Sequence, residues 1–157
     1  MTSHSASLAD RTPELGIIEI LLVEDNPADV RLTREAFSTG PFRCRINVAE
    51  DGETAMQFLR KTHPFEAAPR PDLVLLDLNL PRKDGRELLA EIKADSALRS
   101  VPVIVLTSSE ADEDVASSYA LHANCYIVKP ADYSEFVGTV RSIESFWMGL
   151  ARLPHAA

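Results

Sequence analysis

The segment Leu73-Val74-Leu75-Leu76-Asp77 decides the fold, because it sets four consecutive apolar residues directly before a carboxylate. A strand with one face in water alternates apolar and polar residues, whereas a strand covered by helices on both faces is apolar throughout. Residues 73–76 show no alternation, and a loop with three prolines at 63–71 precedes them. We therefore predict a buried strand of a parallel sheet, with Asp77 at its carboxyl end.

Similar runs on both sides of this strand alternate with amphipathic segments. The predicted strands are 17–23, 45–49, 73–76, 101–106 and 125–128, and the predicted helices are 28–37, segments beginning at Asp51-Gly52 and Asp84-Gly85, 111–121 and 132–150. Strict alternation of strand and helix implies right-handed crossovers and helices on both faces of the sheet. We predict a doubly wound α/β fold with a five-stranded parallel sheet.

Composition and charge exclude several classes of function. The 157 residues, 45% hydrophobic and 25% charged, are typical of one ordinary globular domain. The formal net charge is −8, whereas a nucleic-acid-binding protein needs a basic face, so we expect no nucleic-acid partner. No apolar stretch approaches the roughly 20 residues that span a bilayer. The first ten residues lack the pattern of a signal peptide, so we expect no membrane association and a cytoplasmic location.

Polar side chains follow four of the predicted strands, at the edge where ligands bind in an open parallel sheet. These strand ends carry Glu24-Asp25, Asp77, Thr107-Ser108 and Lys129-Pro130. Converging carboxylates repel one another and require a cation. Oxygen ligands with space for water and phosphate suit Mg²⁺, while the absence of His and Cys at these ends disfavours zinc. The pattern predicts a phosphoryl group held between a metal and a lysine, with a carboxylate as nucleophile.

Each of these features has a simpler structural explanation when it is taken alone. An Asp after a strand is commonly a turn or N-cap residue. Glu24-Asp25 would complement the dipole of the helix that follows, and Thr107-Ser108 would cap the next helix. The occurrence of all of them at one edge of one sheet favours a functional site.

With these residues in place, residues 17–146 resemble the receiver domains of two-component response regulators. The matching motifs are Ile20-Leu21-Leu22-Val23-Glu24-Asp25, Leu73-Val74-Leu75-Leu76-Asp77-Leu78-Asn79-Leu80-Pro81, Asp84-Gly85, Val103-Ile104-Val105-Leu106-Thr107-Ser108 and Tyr126-Ile127-Val128-Lys129-Pro130. The resemblance implies a flavodoxin-like strand order 2-1-3-4-5 and phosphoryl transfer from a sensor histidine kinase.

The resemblance also implies the metal ligands and the phosphoacceptor. Asp77 would be the phosphorylated residue and a ligand of Mg²⁺. Asp25 would bind the metal directly, Glu24 would bind it through water, and the backbone carbonyl of Asn79 would complete the protein ligands.

The remaining implied roles concern the response to phosphorylation. Thr107 would contact a phosphoryl oxygen and move when the site is filled, and Lys129 would pair with the phosphoryl group. Tyr126 would be the switch aromatic that changes rotamer as Thr107 moves, although plain core packing also explains it. The Lys129–Pro130 bond is expected to be cis.

The lengths of the predicted segments indicate how the protein would pass on its signal. We expect a leader at 1–15, a receiver domain at 16–150 and a short tail at 151–157, without an effector domain. The chain would catalyse only its own phosphorylation and dephosphorylation and would signal through an unidentified downstream protein, or alternatively pass phosphate along a phosphorelay. Its motifs, including Glu24 to Asp29, look like those of stand-alone regulators paired with bacterial phytochrome-type kinases.

The last predicted helix has more apolar surface than its own sheet requires. Phe146 and Trp147 are adjacent, about 100° apart on a helical wheel, so both cannot be fully buried in a monomer. We predict a homodimer through this helix and the strand at 125–128.

Three rival interpretations agree less well with the sequence. A haloacid dehalogenase-type phosphatase also uses an aspartyl nucleophile, but it needs an acid two residues later, where this chain has Asn79. A degenerate receiver would lack phosphorylation residues, which are all present here. A nucleotide- or flavin-binding protein would need a glycine-rich phosphate loop, which the sequence lacks.

Overall fold

The computed structural model describes residues 16–154, whose centre is a five-stranded parallel sheet in the order β2-β1-β3-β4-β5. The strands are β1 Ile18–Val23, β2 Cys44–Ala49, β3 Leu73–Leu76, β4 Val103–Thr107 and β5 Cys125–Val128. The helices are α1 Pro27–Ser38, α2 Gly52–Arg60, α3 Gly85–Ala94, α4 Asp112–Ala120 and α5 Tyr133–Ile143, and a π-helix at Glu144–Leu150 continues α5. The predicted leader at 1–15 lies outside the described residues, as do residues 155–157 of the predicted tail.

The predicted fold class and strand order are confirmed. Several element boundaries differ from the prediction, and the two largest differences are at the fourth strand and the last helix. The fourth strand begins at Val103 rather than at residue 101, because Pro102 has no backbone N–H for a sheet ladder. The last helix is an α-helix only to Ile143 and then widens into π turns. An apolar stripe at helical spacing fits both kinds of turn, so the pattern could not distinguish them.

The sheet separates two apolar cores, and alternate residues of β1 point into each. Leu21 and Val23 face the core beneath α2 and α3, whereas Ile20 and Leu22 face the core beneath α1 and α5. All residues of β3 and β4 are buried, which explains why their sequences are apolar without alternation. The helices on both faces leave the edge at the carboxyl ends of the strands as the place for a site.

Side-chain caps fix where α1 and α2 begin, after the carboxyl ends of β1 and β2. Asn26 accepts hydrogen bonds from the backbone N–H groups of Ala28 and Asp29 at 2.9 and 3.2 Å, and Pro27 occupies the first helical position. Asp51 accepts a hydrogen bond of 2.7 Å from the N–H of Thr54. Both caps satisfy N–H groups that have no partner within the helix.

Arg141 joins the carboxyl-terminal end of α1 to that of α5. Its guanidinium donates to the backbone carbonyl of Ala36 at 2.8 Å and to the hydroxyl of Thr39. It also pairs at 2.8 Å with Glu144, whose side chain is only 1% exposed. The carboxylate of Glu144 lies against Gly40, where a Cβ atom would collide with it.

The prediction of a cis Lys129–Pro130 bond is wrong, because the cis peptide bond within residues 16–154 is His63–Pro64. The trans form of an X-Pro bond is favoured by roughly 0.5–1 kcal/mol, and the sequence motif does not report the isomer. The N–H of Lys129 donates to the carbonyl of Thr107 at 2.7 Å and prolongs the pairing of β4 with β5.

No helix within residues 16–154 combines the length and the apolar character that crossing a membrane requires.

Candidate functional site

The carboxyl ends of β1, β3, β4 and β5 meet at one edge, and backbone hydrogen bonds continue the sheet one residue beyond the strands. The N–H of Asp77 donates to the carbonyl of Val23 at 3.0 Å, and that of Glu24 donates to the carbonyl of Ala49 at 3.0 Å. The first residue after each strand is therefore held almost as rigidly as the strand itself. This places the side chains of Glu24 and Asp77 at fixed positions on the edge.

Asp77 is held by three donors from three parts of the chain. Its Oδ1 accepts a hydrogen bond of 2.9 Å from the hydroxyl of Thr107 and one of 3.2 Å from the N–H of Asn79. Its Oδ2 lies 3.1 Å from the ammonium of Lys129. Burial alone would raise the pKa of Asp77, but Lys129 and the hydrogen bonds from Asn79 and Thr107 hold it below its ordinary value. The carboxylate is therefore ionised at neutral pH, as a nucleophile must be.

The ammonium of Lys129 contacts three carboxylates. Its Nζ lies 2.5 Å from Glu24, 3.1 Å from Asp77 and 3.2 Å from Asp29. Burial would lower the pKa of Lys129, but the hydrogen bond and charge of Glu24, together with Asp77 and Asp29, raise it above its ordinary value. The lysine therefore stays charged and neutralises the centre of the site.

Glu24 is the most deeply buried carboxylate of the site, with 3% of its side chain exposed. Burial raises the pKa of Glu24 to about 7, and the charge of Asp77 acts in the same direction, while Lys129 and the N–H of Asn26 oppose the rise. The group contacts Lys129 directly, so its role as a metal ligand through water stays a prediction.

Asp25 and Asn79 are the exposed members of the predicted site. The contact of Asn79 with Asp77 is through its N–H rather than its carbonyl. Within residues 16–154, no three His, Cys, Asp or Glu side chains are close enough to enclose a metal ion. An exposed carboxylate, Asp77 and one backbone carbonyl nevertheless fit Mg²⁺, which retains several waters and uses few protein ligands.

Tyr126 connects the site to a polar network on α3 and α4. Its hydroxyl donates to the carbonyl of Ser109 at 3.0 Å, and the hydroxyl of Ser109 donates to Asp114 at 2.6 Å. Asp114 also pairs with Arg86 at 2.5 Å. The network fixes the loop after Thr107. No sequence pattern indicates the Arg86–Asp114 pair, because the two residues lie on separate helices.

Asp29 is a residue of the site that the sequence interpretation missed. It lies in the first turn of α1, where an acid is expected simply to complement the helix dipole. No local pattern identifies it, because its contact with Lys129 joins residues that are 100 positions apart in the chain. A cavity of about 740 Å³ lies beside it and also touches Lys129, Ser108 and Tyr133.

Gly85, at the start of α3, allows the helix to approach the backbone that carries Asp77. A Cβ atom here would lie 2.6 Å from the Cα of Leu78 and would also collide with the carbonyl of Asp77. The N–H of Gly85 donates to the carbonyl of Leu78 at 3.0 Å. The Asp84-Gly85 motif therefore supports the position of Asp77 by close packing.

The π-helix at Glu144–Leu150 carries the aromatic pair Phe146 and Trp147. Phe146 is 50% exposed and Trp147 is half-buried against the core beneath α1 and α5. Their rings pack edge to face, with centroids 5.2 Å apart. The prediction that both cannot be fully buried is confirmed, while the dimer that it led to stays a prediction.

Comparison with known proteins agrees with this geometry. A family model described as the response regulator receiver domain matches residues 20–141. The chain is 48% identical over 137 residues to response regulator Rcp1 of Synechocystis sp. (strain ATCC 27184 / PCC 6803 / Kazusa), covering 87% of this chain and 93% of that protein.

Solved structures of response regulators resemble this chain in both fold and sequence. The Mn²⁺-bound form of Rcp1 superposes with a TM-score of 0.84 at 47% identity, covering 88% of this chain and 99% of that one. The phosphorylated cyanobacterial phytochrome response regulator RcpA gives a TM-score of 0.86 at 48% identity, covering 89% and 100%. Response regulator RPA3017, in red light signalling of R. palustris, gives 0.84 at 33%, covering 89% and 100%. The chain therefore belongs to the response regulator receiver domain family.

Proposed function

We propose that Asp77 accepts a phosphoryl group from a sensor histidine kinase and that the protein signals through contacts that depend on this group. The observation that supports the proposal is the set of three hydrogen bonds that the Asp77 carboxylate accepts, from Thr107, Lys129 and the N–H of Asn79. These donors keep one carboxylate ionised and oriented at the open edge of the sheet. Preorganised donors of this kind are the main contribution that proteins make to phosphoryl transfer.

The transfer forms one bond and breaks one. A carboxylate oxygen of Asp77 attacks phosphorus, the P–N bond of the kinase phosphohistidine breaks, and the imidazole leaves with its electron pair and takes up a proton. Lys129 neutralises one side of the phosphoryl oxygens, and the hydroxyl of Thr107 turns from Asp77 to donate to one of them. Attack of water on phosphorus later returns the free carboxylate and inorganic phosphate.

A divalent cation would bind on the opposite side from Lys129. Asp25, Asp77 and the backbone carbonyl of Asn79 would hold Mg²⁺, with Glu24 acting through water. When bound, the cation supplies charge neutralisation of the phosphoryl oxygens. The proposal is supported by the donor set and by the Mn²⁺-bound form of the relative Rcp1.

The kinase partner that we propose is of the phytochrome type. Support comes from the relatives, which include a phytochrome response regulator and a regulator in red light signalling. Because sensor kinases take their phosphoryl groups from ATP, we propose that the protein acts in the cytoplasm. A downstream protein would read the phosphorylated state through the surface around Tyr126, whose hydroxyl is tied to the loop after Thr107. The receiver domain would occupy residues 16–150.

We also propose a homodimer formed by the last helix and β5. The support is the exposed apolar surface of the π-helix, where Phe146 and Leu150 are 50% and 75% exposed. All four residues of β5 are only half-buried, and β5 forms an edge of the sheet. Apolar side chains exposed in a contiguous patch commonly mark an interface.

Phosphorylation of purified protein tests the central proposal. Wild type, Asp77→Asn and a control, Asp84→Asn, are incubated with acetyl phosphate and Mg²⁺ and examined by intact mass. Asp84 is also an acid near this edge, but it pairs with Arg86 and not with Lys129. We expect one phosphoryl group on wild type and on the control, and none on Asp77→Asn. Equal labelling of all three proteins would refute the assignment of Asp77.

The kinase assignment requires its own measurement. An autophosphorylated phytochrome-type kinase and an unrelated sensor kinase are each mixed with the regulator, and loss of label from each kinase is followed over seconds to minutes. We expect rapid transfer from the phytochrome-type kinase only. Preference for the unrelated kinase would contradict the pairing and leave the role of Asp77 intact.

A further inference from the structure

The ammonium of Lys129 has three N–H donors and three carboxylate partners. A lysine can donate no more than three hydrogen bonds, and Glu24, Asp77 and Asp29 take one each. A phosphoryl group on Asp77 would need a donor from the same ammonium. The phosphoryl oxygens would therefore compete with the existing partners for these three donors.

The three partners differ in how firmly they hold the lysine. Glu24 is 3% exposed and lies 2.5 Å from Nζ, and Asp77 carries the phosphoryl group itself. Asp29 is 40% exposed and lies 3.2 Å away, so water can replace the lysine as its partner at little cost. Asp29 is the contact that can be released.

We propose that Asp29 is a positioning residue that competes with the phosphoryl group for Lys129 and so limits how fast Asp77 accepts an anionic phosphodonor. The inference rests on the proposed function of Asp77. Asp29 acts through Lys129 and does not itself touch the reacting atoms.

The backbone around Asp29 keeps its carboxylate at this position. Its N–H donates to Asn26, the N-cap of α1, at 3.2 Å. Its carbonyl accepts a hydrogen bond of 2.7 Å from the hydroxyl of Thr33. A substitution that keeps the length and polarity of the side chain should leave these contacts unchanged and remove only the charge.

Asp29 also lies on the wall of the cavity of about 740 Å³ that reaches Lys129 and Ser108. A phosphodonor that approaches Lys129 from this side meets the negative charge of Asp29. Competition for the ammonium and repulsion of the donor both slow the reaction, and both vanish when the charge is removed.

The variants Asp29→Asn and Asp29→Glu test the inference, with Glu135→Gln as the matched control. Glu135 lines the same cavity, but it is not one of the residues within 16–154 that contact Lys129. Removing the charge of Glu135 changes the electrostatic potential near the site but frees no N–H donor of Lys129. Phosphorylation rates are measured by intact mass with Mg²⁺ and acetyl phosphate, in which attack by Asp77 breaks the P–O bond and releases acetate.

We expect Asp29→Asn to be phosphorylated about two- to fivefold faster than wild type, the range that loss of one partly exposed ion pair gives. The acceleration should shrink at high ionic strength and should be smaller with phosphoramidate, which carries less negative charge. Asp29→Glu should return to the wild-type rate, and Glu135→Gln should match wild type.

An unchanged or slower rate for Asp29→Asn would overturn the inference. Equal acceleration by Glu135→Gln would also overturn it, because the effect would then be the general field of the cavity and not competition for Lys129. These results differ from failure of the proposed function, in which wild type would take up no phosphoryl group or Asp77→Asn would take up as much.

Discussion

The hydroxyl of Tyr126 donates a hydrogen bond of 3.0 Å to the backbone carbonyl of Ser109, two residues after Thr107. Thr107 in turn donates to Asp77 at 2.9 Å. The aromatic side chain of β5 and the proposed phosphoacceptor of β3 are thus connected through Thr107, the last residue of β4, and the two loop residues that follow it. A change in either hydrogen bond must alter the loop that links them.

Replacing Tyr126 by Phe tests how much this hydrogen bond stabilises the fold. Loss of one partly buried hydrogen bond should lower the free energy of unfolding by about 0.5–1.5 kcal/mol, measured by urea denaturation. Tyr133→Phe is the control, because the hydroxyl of Tyr133 has no hydrogen-bond partner within residues 16–154. Equal stability of the two variants would argue against a structural role for the Tyr126 hydroxyl.

Two glycine-to-alanine substitutions should change stability in opposite directions. Gly85→Ala forces a methyl group against the backbone of Leu78 and should cost about 1–3 kcal/mol of unfolding free energy. Gly138→Ala lies within α5 with nothing within 4 Å of the added carbon, and should gain about 0.5–1 kcal/mol. Urea denaturation measures both, and a stable Gly85→Ala protein would show that α3 can move away from Asp77.

Glu144 should make the stability depend on pH. Burial raises the pKa of Glu144 above its ordinary value of 4.5, although Arg141 opposes the rise. One carboxylate oxygen is buried without a hydrogen-bond partner among residues 16–154. The folded state then binds more protons than the unfolded state, so this group lowers the unfolding free energy as pH rises from 4.5.

The variant Glu144→Gln isolates that contribution. Unfolding free energies of wild type and variant are measured from pH 4.5 to 8. The wild-type value should fall relative to the variant as pH increases, and the difference should level off above the folded-state pKa. Parallel curves for the two proteins would mean that burial does not disfavour the ionised carboxylate.

Phe146→Ser tests the proposed dimer. Removing an apolar side chain that is 50% exposed should cost little in the monomer and should weaken association. Light scattering at micromolar concentration should give a dimer for wild type and a monomer for the variant. Leu32→Ser is the control, because Leu32 is also an exposed apolar residue, 37% exposed, but it belongs to α1 and not to the last helix or β5. A monomeric wild-type protein would contradict the proposed dimer.

The sheet and most of the site could be predicted because both follow from where apolar runs end. A run such as Leu73–Leu76 must be covered on both faces, and parallel strands bring their carboxyl ends to one edge. Residues directly after such runs, including Asp77 and Lys129, therefore come together wherever the intervening helices lie. The proximity of Glu24, Asp77 and Lys129 follows from this rule, whereas the direct contact of Lys129 with Glu24 does not.

Other features depend on distances that no local pattern encodes. Asp29 and Lys129 are 100 residues apart, and their contact depends on how α1 is rotated against the sheet. The apolar stripe after Ile143 does not distinguish α turns from π turns, and the two isomers of the bond before Pro130 differ by only roughly 0.5–1 kcal/mol. Such choices are made by tertiary packing, which the sequence pattern does not report.

Helix α1 is fastened at both of its ends. Asp29 in its first turn contacts Lys129, and the carbonyl of Ala36 in its last turn accepts from Arg141, which also holds Glu144 at the start of the π-helix. The helix has twelve residues and is about 18 Å long. Because a short helix moves as a unit, a displacement of its first turn at Lys129 changes the orientation of its last turn relative to Arg141.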